Sequence, residues 1–262
     1  MKYAIFQTEI IPADPEANEA QIRQWTENTV QMDKPDTIML PELWNTGYAL
    51  DSLAEKADMH GERTKAFLGN LAKIHSINII GGSVGNKKNG KLFNSSFVFN
   101  RGGELVYEYD KIHLVPMLNE HQFLDGGEKK AEVFELDGVK MGLITCYDLR
   151  FPELARQLAL EGANVLHIIA QWPKARKDHW RHLQLARAIE NQQFIISCNT
   201  VGYCGDTEFA GNSMVIGPWG NELAFGGPSN KETITIPIDL SIVPQIREDV
   251  PVFTSRVPKF YK

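Results

Sequence analysis

Residues 139–156 read V-K-M-G-L-I-T-C-Y-D-L-R-F-P-E-L-A-R. They place a cysteine between a segment with the pattern of a strand and a segment with the pattern of a helix. Residues 139–145 form an apolar run of strand length, rich in the residue types that a buried strand favours. Pro152 and Glu153 suit the first turn of a helix, because a proline there lacks only an N–H that has no partner. Cys146 is therefore predicted in a strand-to-helix turn, whose free N–H groups stabilise a thiolate or a neighbouring oxyanion. A small buried cysteine that only fills space is the alternative interpretation.

The composition indicates a chain with a large apolar core and a net negative charge. Its 262 residues are 43% apolar, and 33 acidic residues outnumber 27 basic ones, which gives a net charge of −6. This balance argues against a nucleic-acid-binding surface. No apolar run is long enough to span a membrane, and the first residues become polar too early for a secretory signal. Three cysteines are too few for a disulfide framework, so we expect a soluble, cytoplasmic protein.

The same order of predicted elements occurs in both halves of the chain. The first half contains strands at 2–8, 36–40 and 77–84, helices at 15–32 and 63–75, and a hairpin at 95–109. The second half contains strands at 139–145, 165–170 and 193–201, helices at 151–161 and 179–191, and a hairpin at 212–225. Each hairpin begins with Asn-Ser, at 94–95 and 212–213, and carries Glu-Leu at the same distance, at 104–105 and 222–223. This correspondence indicates an internal duplication.

Two equivalent halves of this kind predict an α/β fold with four layers in the order α/β/β/α and an internal pseudo-two-fold repeat. Each sheet can receive helices on one face while its other face packs on the second sheet. A further strand is predicted at 234–238. We expect one domain over residues 1–262, in which residues 240–262, rich in proline and aromatic residues, form an extended C-terminal arm that reaches a partner subunit.

Three polar residues follow predicted strands in a way that would bring them to one sheet edge. Glu42 follows the strand at 36–40, Lys111 follows the second hairpin strand, and Cys146 follows the strand at 139–145. Ends of strands are where α/β folds place their binding and catalytic groups. Taken singly, Glu42 and Lys111 are better explained as surface or capping charges.

Three short blocks around these residues resemble the signature of the nitrilase, or carbon–nitrogen hydrolase, superfamily. The blocks are P-E-L at 41–43, Y-D-K-I-H-L at 109–114 and C-Y-D-L-R-F-P-E at 146–153, and the resemblance extends over essentially the whole chain. It implies the nitrilase-like sandwich, usually as a homodimer or a larger assembly, with no cofactor and no metal. It also implies that Glu42 is a general base, Lys111 a cationic stabiliser and Cys146 the nucleophile. Glu120 resembles an additional glutamate that family members carry after the lysine block; a solvated loop acid is the alternative.

The chemistry implied by this resemblance needs each of these residue types. An amide carbon is a poor electrophile, so its attack requires a thiolate. Glu42 can take the proton from Cys146 and later deliver it to the departing amine. Lys111 and the backbone N–H of Tyr147 would stabilise the tetrahedral oxyanion. Ammonia then leaves, and water hydrolyses the thioester on Cys146.

Two further segments, 44–48 and 171–191, resemble the omega-amidase branch, whose members remove the terminal amide of small 2-oxo acid amides. Trp44 and Trp172 are expected to form pocket walls, although both are also ordinary core residues by pattern. Tyr147 follows the cysteine, as suits an amidase. The substrate carboxylate would need a donor, and Arg150, Tyr48 or a residue near Trp172 could each supply it.

Other functions are compatible with the same residues. An N-carbamoyl amino-acid amidohydrolase and a nitrile-hydrolysing enzyme would use the same trio, and a scaffold or binding protein would retain only the fold. His179 and His182 lie three apart on a predicted helix, which suits zinc, but their basic neighbours favour a solvated surface.

Overall fold

A computed structural model describes residues 1–261 of the chain as two β-sheets, a short hairpin and six α-helices. The helices are α1 (Pro15–Asp33), α2 (Leu50–Lys56), α3 (Glu62–His75), α4 (Pro152–Leu160), α5 (Lys177–Asn191) and α6 (Ile242–Asp249). The strands are β1 (Lys2–Gln7), β2 (Thr37–Met39), β3 (Asp58–Met59), β4 (Asn78–Lys88), β5 (Lys91–Phe99), β6 (Leu105–Asp110), β7 (Phe134–Leu136), β8 (Val139–Thr145), β9 (Val165–Ile169), β10 (Phe194–Cys198), β11 (Tyr203–Cys204), β12 (Thr207–Glu208), β13 (Met214–Ile216), β14 (Glu222–Phe225) and β15 (Glu232–Pro237).

The two sheets have the same internal order, which confirms the predicted repeat. The first sheet runs β15-β1-β2-β4-β5-β6, with β3 paired to β4, and the second runs β14-β13-β10-β9-β8-β7. In the first sheet β1, β2 and β4 are parallel, and in the second β8, β9 and β10 are parallel. An antiparallel hairpin follows in each half, β5-β6 and β13-β14. The last strand along the chain, β15, pairs antiparallel with the first, β1.

Alternation along β1 explains why the sheets pack face to face. Tyr3 and Ile5 belong to the apolar cluster that also contains the core residues of the second sheet. Ala4 and Phe6, on the opposite face, belong to the cluster formed with α1 and α3. Successive strand residues point to opposite faces, so one strand contributes to both interfaces of its sheet. Helices α4 and α5 cover the outer face of the second sheet, and the predicted four-layer α/β/β/α sandwich is confirmed.

The C-terminal segment differs from the sequence expectation. The residues expected to be extended include α6, whose Val243 and Ile246 are buried against this same chain. Pro244 stands in the first turn of α6, where a proline is tolerated. Beyond the helix, Phe253 lies between the guanidinium groups of Arg156 and Arg247, at 5.5 and 5.0 Å. The prediction of a wholly extended arm is therefore wrong, because a proline near a helix start does not prevent helix formation.

Residues 1–261 contain no helix that is both long enough and apolar enough to cross a membrane.

A buried histidine lies between the two sheets. His167, on β9, has no exposed surface, and its Nδ1 lies 3.1 Å from the carbonyl oxygen of Gly142. Because a carbonyl only accepts, Nδ1 carries the proton and Nε2 accepts from the Tyr3 hydroxyl at 3.1 Å. Burial lowers the pKa of His167 to about 4, so the ring stays neutral in the folded protein.

This depressed pKa predicts an acid-sensitive component of stability. The unfolded chain binds a proton on His167 below about pH 6.5 and the folded chain only near pH 4, so the free energy of unfolding falls as the pH decreases through this window. Between pH 7 and pH 5 we expect wild type to lose about 2 kcal/mol more than His167→Gln. Urea unfolding at one protein concentration measures both. His182→Gln, which removes an exposed histidine, should keep the wild-type pH dependence; equal losses in wild type and His167→Gln would contradict the prediction.

Candidate active site

Four of the residues predicted from the sequence meet where strands of both sheets end. Glu42 and Lys111 follow β2 and β6 of the first sheet, Cys146 follows β8 of the second, and Glu120 lies in a 3₁₀ turn of the loop after Lys111. Glu42, Lys111 and Glu120 have no exposed surface, and Cys146 is 3% exposed. Groups far apart along the chain thus share one buried site.

The ammonium group of Lys111 is the centre of this site. Its Nζ donates to Glu42 Oε1 and to Glu120 Oε1, both at 2.9 Å. Burial alone would lower the pKa of Lys111, but the charges of Glu42 and Glu120 outweigh it and hold the pKa above its ordinary value. The lysine therefore stays positively charged.

Groups from both halves of the chain hold the carboxylate of Glu42. Asn94 Nδ2 donates to Oε1 at 2.9 Å, and the backbone N–H of Gln171 donates to Oε2 at 2.8 Å. The side chain of Gln171 also donates to the backbone oxygen of Glu42 at 2.8 Å. Asn94 opens the Asn-Ser pattern seen in both hairpins, and that repetition was the signal that could have identified it. Sequence reasoning missed its contact with Glu42.

A tyrosine completes the cluster. The Tyr48 hydroxyl donates to Glu120 Oε1, accepts from Lys111 Nζ at 3.3 Å and lies 3.2 Å from Glu42 Oε1. The other oxygen of Glu120 accepts from the backbone N–H of Val115 at 2.6 Å. Tyr48 is thus committed to the ionic cluster, and the expectation that it is available to bind a substrate carboxylate is not supported by this geometry.

The backbone turns tightly at Cys146, which adopts a left-handed conformation. Cys146 has φ +50° and begins a 3₁₀ turn that runs to Arg150. A non-glycine residue in this region is uncommon and carries a conformational cost, so the surrounding bonds must hold it. Thr145 and Asp148 form a reciprocal capping box across the turn.

The surroundings of Cys146 favour the neutral thiol at rest. Burial raises the pKa of Cys146 well above its ordinary value, Glu42 raises it further, and Lys111 acts in the opposite direction. Two carboxylates and one ammonium leave an excess of negative charge beside the sulfur. Formation of a thiolate here requires transfer of the proton to a group of the site, and of the two carboxylates Glu42 has the larger effect on the pKa of the thiol.

A pocket opens at Cys146 and contains three of the predicted substrate-binding residues. Its lining residues are Val115, Met117, Leu118, Cys146, Tyr147, Arg150, Gln171, Trp172, Pro173 and Arg176. A larger cavity of about 520 Å³ shares Leu118, Pro173 and Arg176 with this pocket. Tyr147, Arg150 and Trp172 therefore line the same pocket as Cys146, and their binding of substrate stays a prediction.

The prediction that Trp44 forms a pocket wall is wrong. Its indole N–H donates to the carbonyl of Gly81 at 2.9 Å, and its ring packs against Phe67 of α3 at 6.0 Å. The side chain is turned into the core between the first sheet and its helices. Trp44 lies only two residues after Glu42, but the turn at Leu43, with φ +43°, makes the two side chains point in different directions.

Two arginines, Arg150 and Arg176, line the pocket. Arg150 lies 4.8 Å from the ring centre of Trp172 and 5.7 Å from that of Tyr147, and its Nη1 donates to His179 Nδ1 at 3.3 Å. Neither Arg150 nor Arg176 forms an ion pair with a carboxylate of residues 1–261. In the same range no group of three or more metal-ligating side chains is placed to hold an ion, and His179 serves as an acceptor for Arg150.

The chain is similar in sequence and in structure to known proteins. A family model described as carbon-nitrogen hydrolase matches residues 2–248. The chain is 45% identical over 263 aligned positions to "Hydrolase in agr operon" of Staphylococcus aureus, with all of both chains covered. It is 45% identical over 218 residues to the 2-oxoglutaramate amidase of Bacillus subtilis (strain 168), with 83% of each chain covered. The crystal structure of Saccharomyces cerevisiae Nit3, a member of branch 10 of the nitrilase superfamily, superposes with a TM-score of 0.90 at 28% identity, over 98% of this chain and 96% of that one.

The chain belongs to the carbon–nitrogen hydrolase family. It is a hydrolase that acts on amide bonds, as the sequence resemblance implied.

The shared ammonium predicts a strong dependence of stability on Lys111. Lys111→Met leaves two buried carboxylates without their cation, so we expect a loss of about 3–5 kcal/mol in the free energy of unfolding. Lys140→Met, which removes an exposed lysine from β8, should stay close to wild type. Denaturant unfolding measures both. The double variant Lys111→Met/Glu120→Gln should be more stable than Lys111→Met alone, and no recovery would show that the loss is not due to unbalanced charge.

Proposed function

We propose that this chain hydrolyses the terminal amide of small 2-oxo acid amides such as 2-oxoglutaramate and releases ammonia. One observation carries the proposal: Cys146, Arg150 and Arg176 line a single pocket. A 2-oxo acid amide has an amide at one end and a carboxylate at the other, so it matches both the cysteine and the arginines. The name of the Bacillus subtilis relative agrees with this substrate.

We propose that the carboxylate of the substrate binds to the two arginines. Guanidinium groups bind carboxylates through charge-assisted, often bidentate, hydrogen bonds. The Nε atom of Arg150 is buried and has no partner among residues 1–261. The pocket side chains include these two cations and no carboxylate among the described residues, so an anionic group would be attracted and a second cation repelled.

The first half of the proposed reaction is acylation of Cys146. Its sulfur attacks the amide carbon while Glu42 takes the thiol proton, which avoids a free thiolate in a site of negative charge. The electron pair of the C=O bond moves to oxygen, and Lys111 Nζ together with the Tyr147 backbone N–H stabilises the oxyanion. Collapse of the tetrahedral intermediate breaks the C–N bond, Glu42 returns its proton to nitrogen, and ammonia leaves.

The second half is hydrolysis of the thioester. Glu42 takes a proton from water, whose oxygen attacks the thioester carbon, and the same donors stabilise the second oxyanion. Breakage of the C–S bond returns the proton to sulfur and yields the dicarboxylic acid. Glu120 and Tyr48 take no proton in this scheme; they keep Lys111 beside Glu42.

The proposed reaction predicts a defined substrate preference. We expect ammonia release from 2-oxoglutaramate and 2-oxosuccinamate, and much slower turnover of N-carbamoyl amino acids and nitriles. Cys146→Ala should abolish release and remain folded, because alanine removes only the buried sulfur. Mass spectrometry after mixing with substrate should detect on Cys146 of wild type the acyl group that remains when the terminal amide has lost ammonia.

Matched results separate this proposal from its alternatives. Cys204→Ala, which removes a cysteine that is not in the pocket, should keep full activity. Preferential turnover of N-carbamoyl amino acids would replace the proposed substrate class. Equal turnover by wild type and Cys146→Ala would leave only a scaffold or binding role.

The two arginines of the pocket predict a loss of activity, on substitution, that depends on the charge of the substrate. Arg176→Met should lower kcat/KM for 2-oxoglutaramate roughly 10- to 100-fold, the effect of losing one hydrogen bond to a charged group. An amide of equal length without a carboxylate should be affected less than threefold. Arg181→Met on α5, whose guanidinium contacts Glu222 outside this pocket, is the control. Equal losses on the charged and neutral amides would argue against carboxylate binding.

We further propose a single carbon–nitrogen hydrolase domain over residues 1–262 that works as a homodimer or larger homo-oligomer in the cytoplasm. Exposed aromatic side chains support assembly, since Phe225 and Phe260 are 68% and 77% exposed. The three cysteines are unpaired, which suits a reducing compartment. Sedimentation of the purified chain tests the assembly, and a monomer at micromolar concentration would contradict it.

A further inference from the structure

The carboxylate of Asp148 is a buried acid that the proposed reaction does not use. It has no exposed surface and lies two residues after Cys146. Oδ2 accepts from the Tyr109 hydroxyl at 2.7 Å and from the backbone N–H of Thr145 at 3.1 Å. Oδ1 accepts from the backbone N–H of His113 at 3.0 Å and lies 2.8 Å from His113 Nδ1. An ionised carboxylate only accepts, so Nδ1 carries the proton and all four contacts converge on one acceptor group.

These four contacts join the two segments that carry Lys111 and Cys146. Tyr109 and His113 lie two residues before and two residues after Lys111. Thr145 directly precedes Cys146 at the end of β8, in the other sheet. One carboxylate therefore bridges the two sheets at the point where each contributes a group to the site.

The same carboxylate holds the strained turn of the nucleophile. Its bond to the Thr145 N–H is half of the capping box around Cys146, whose φ is +50°. The ring of His113 stacks on Phe151 with centroids 3.5 Å apart, which shields the carboxylate from solvent on that side. Bonds in such a shielded place are stronger than bonds at the surface.

We propose that Asp148 is a positioning residue that sets the distance and orientation of the Cys146 sulfur relative to the Lys111 ammonium. The proposal rests on the hydrolase function above, because it concerns the oxyanion that these two groups form and stabilise. Catalytic groups must be held close to their productive geometry, and a small displacement lowers the rate without loss of substrate binding. A carboxylate that merely caps the turn would affect stability alone.

Paired tyrosine variants test this role with little change of shape. Tyr109→Phe removes one bond to Asp148 and should lower kcat on 2-oxoglutaramate at least fivefold with KM within twofold. Tyr107→Phe is the matched control on the same strand, since its hydroxyl accepts from the Glu132 N–H and not from the site; its kcat should stay within twofold. Asp148→Asn, which places an amide N–H among four donors, should lower kcat at least a hundredfold.

Alkylation of Cys146 by iodoacetamide gives a readout that needs no turnover. The rate is followed against pH, with the modified site identified by mass spectrometry. Lys111 opposes the rise in the pKa of the thiol that burial, Glu42 and Glu120 produce. Displacement of the ammonium in Tyr109→Phe should therefore move the alkylation profile to higher pH by at least half a unit, while Tyr107→Phe keeps the wild-type profile.

The outcomes distinguish failure of this inference from failure of the proposed function. Unchanged kcat and an unchanged alkylation profile in Tyr109→Phe, with only a lower melting temperature, would overturn the positioning role. Asp148→Asn is not needed for this decision if it fails to fold. If wild type hydrolyses none of the amides, the proposed function is wrong, and the shifted or unshifted alkylation profile still decides whether Asp148 positions the cysteine.

Discussion

The structure depends on one ammonium group shared between two carboxylates where water has no access. Taking a charge out of water costs several kcal/mol, and only close, well-oriented partners offset that cost. Lys111 meets this requirement with two contacts of 2.9 Å, and Tyr48, Asn94 and the Gln171 N–H satisfy the remaining lone pairs of the carboxylates. The cluster is stable only when all of these hydrogen bonds are formed together. It therefore fixes the positions of the segments that supply them.

The sandwich meets this constraint because each half of the repeat supplies a different part. The first half supplies Glu42, Lys111 and Glu120, and the second supplies Cys146 and the Gln171 N–H. The corresponding strands β2 and β9 end side by side, since Gln171 after β9 donates to Glu42 after β2. A symmetric scaffold thus produces an asymmetric site, in which the charged groups come from one half and the sulfur from the other.

Sequence reasoning succeeded where local pattern decides position. The strand at 139–145 has the predicted bounds, because it is an apolar run of strand length that ends at the turn containing Cys146. The convergence of Glu42, Lys111 and Cys146 followed from strand ends and from the motif blocks.

Sequence reasoning failed where side-chain direction or long-range packing decides. Trp44 turns into the core because of the backbone conformation at Leu43, which no periodicity reveals. The α6 helix contacts residues that follow α4 and α5, since Arg247 donates to the Ala163 carbonyl and Gln192 donates to the Ile246 carbonyl. Its partners therefore lie far away in sequence. Tyr48 and Asn94 gain their importance only from oxygens that the fold brings to them.

The pairing of β15 with β1 has a consequence for folding during synthesis on the ribosome. The strand that begins the chain is flanked on one side by the last strand to be made. During translation the edge of β1 that later pairs with β15 has no backbone partner, so it can pair with other nascent chains. Closure of the first sheet, and with it protection from aggregation, is therefore postponed until β15 has been synthesised.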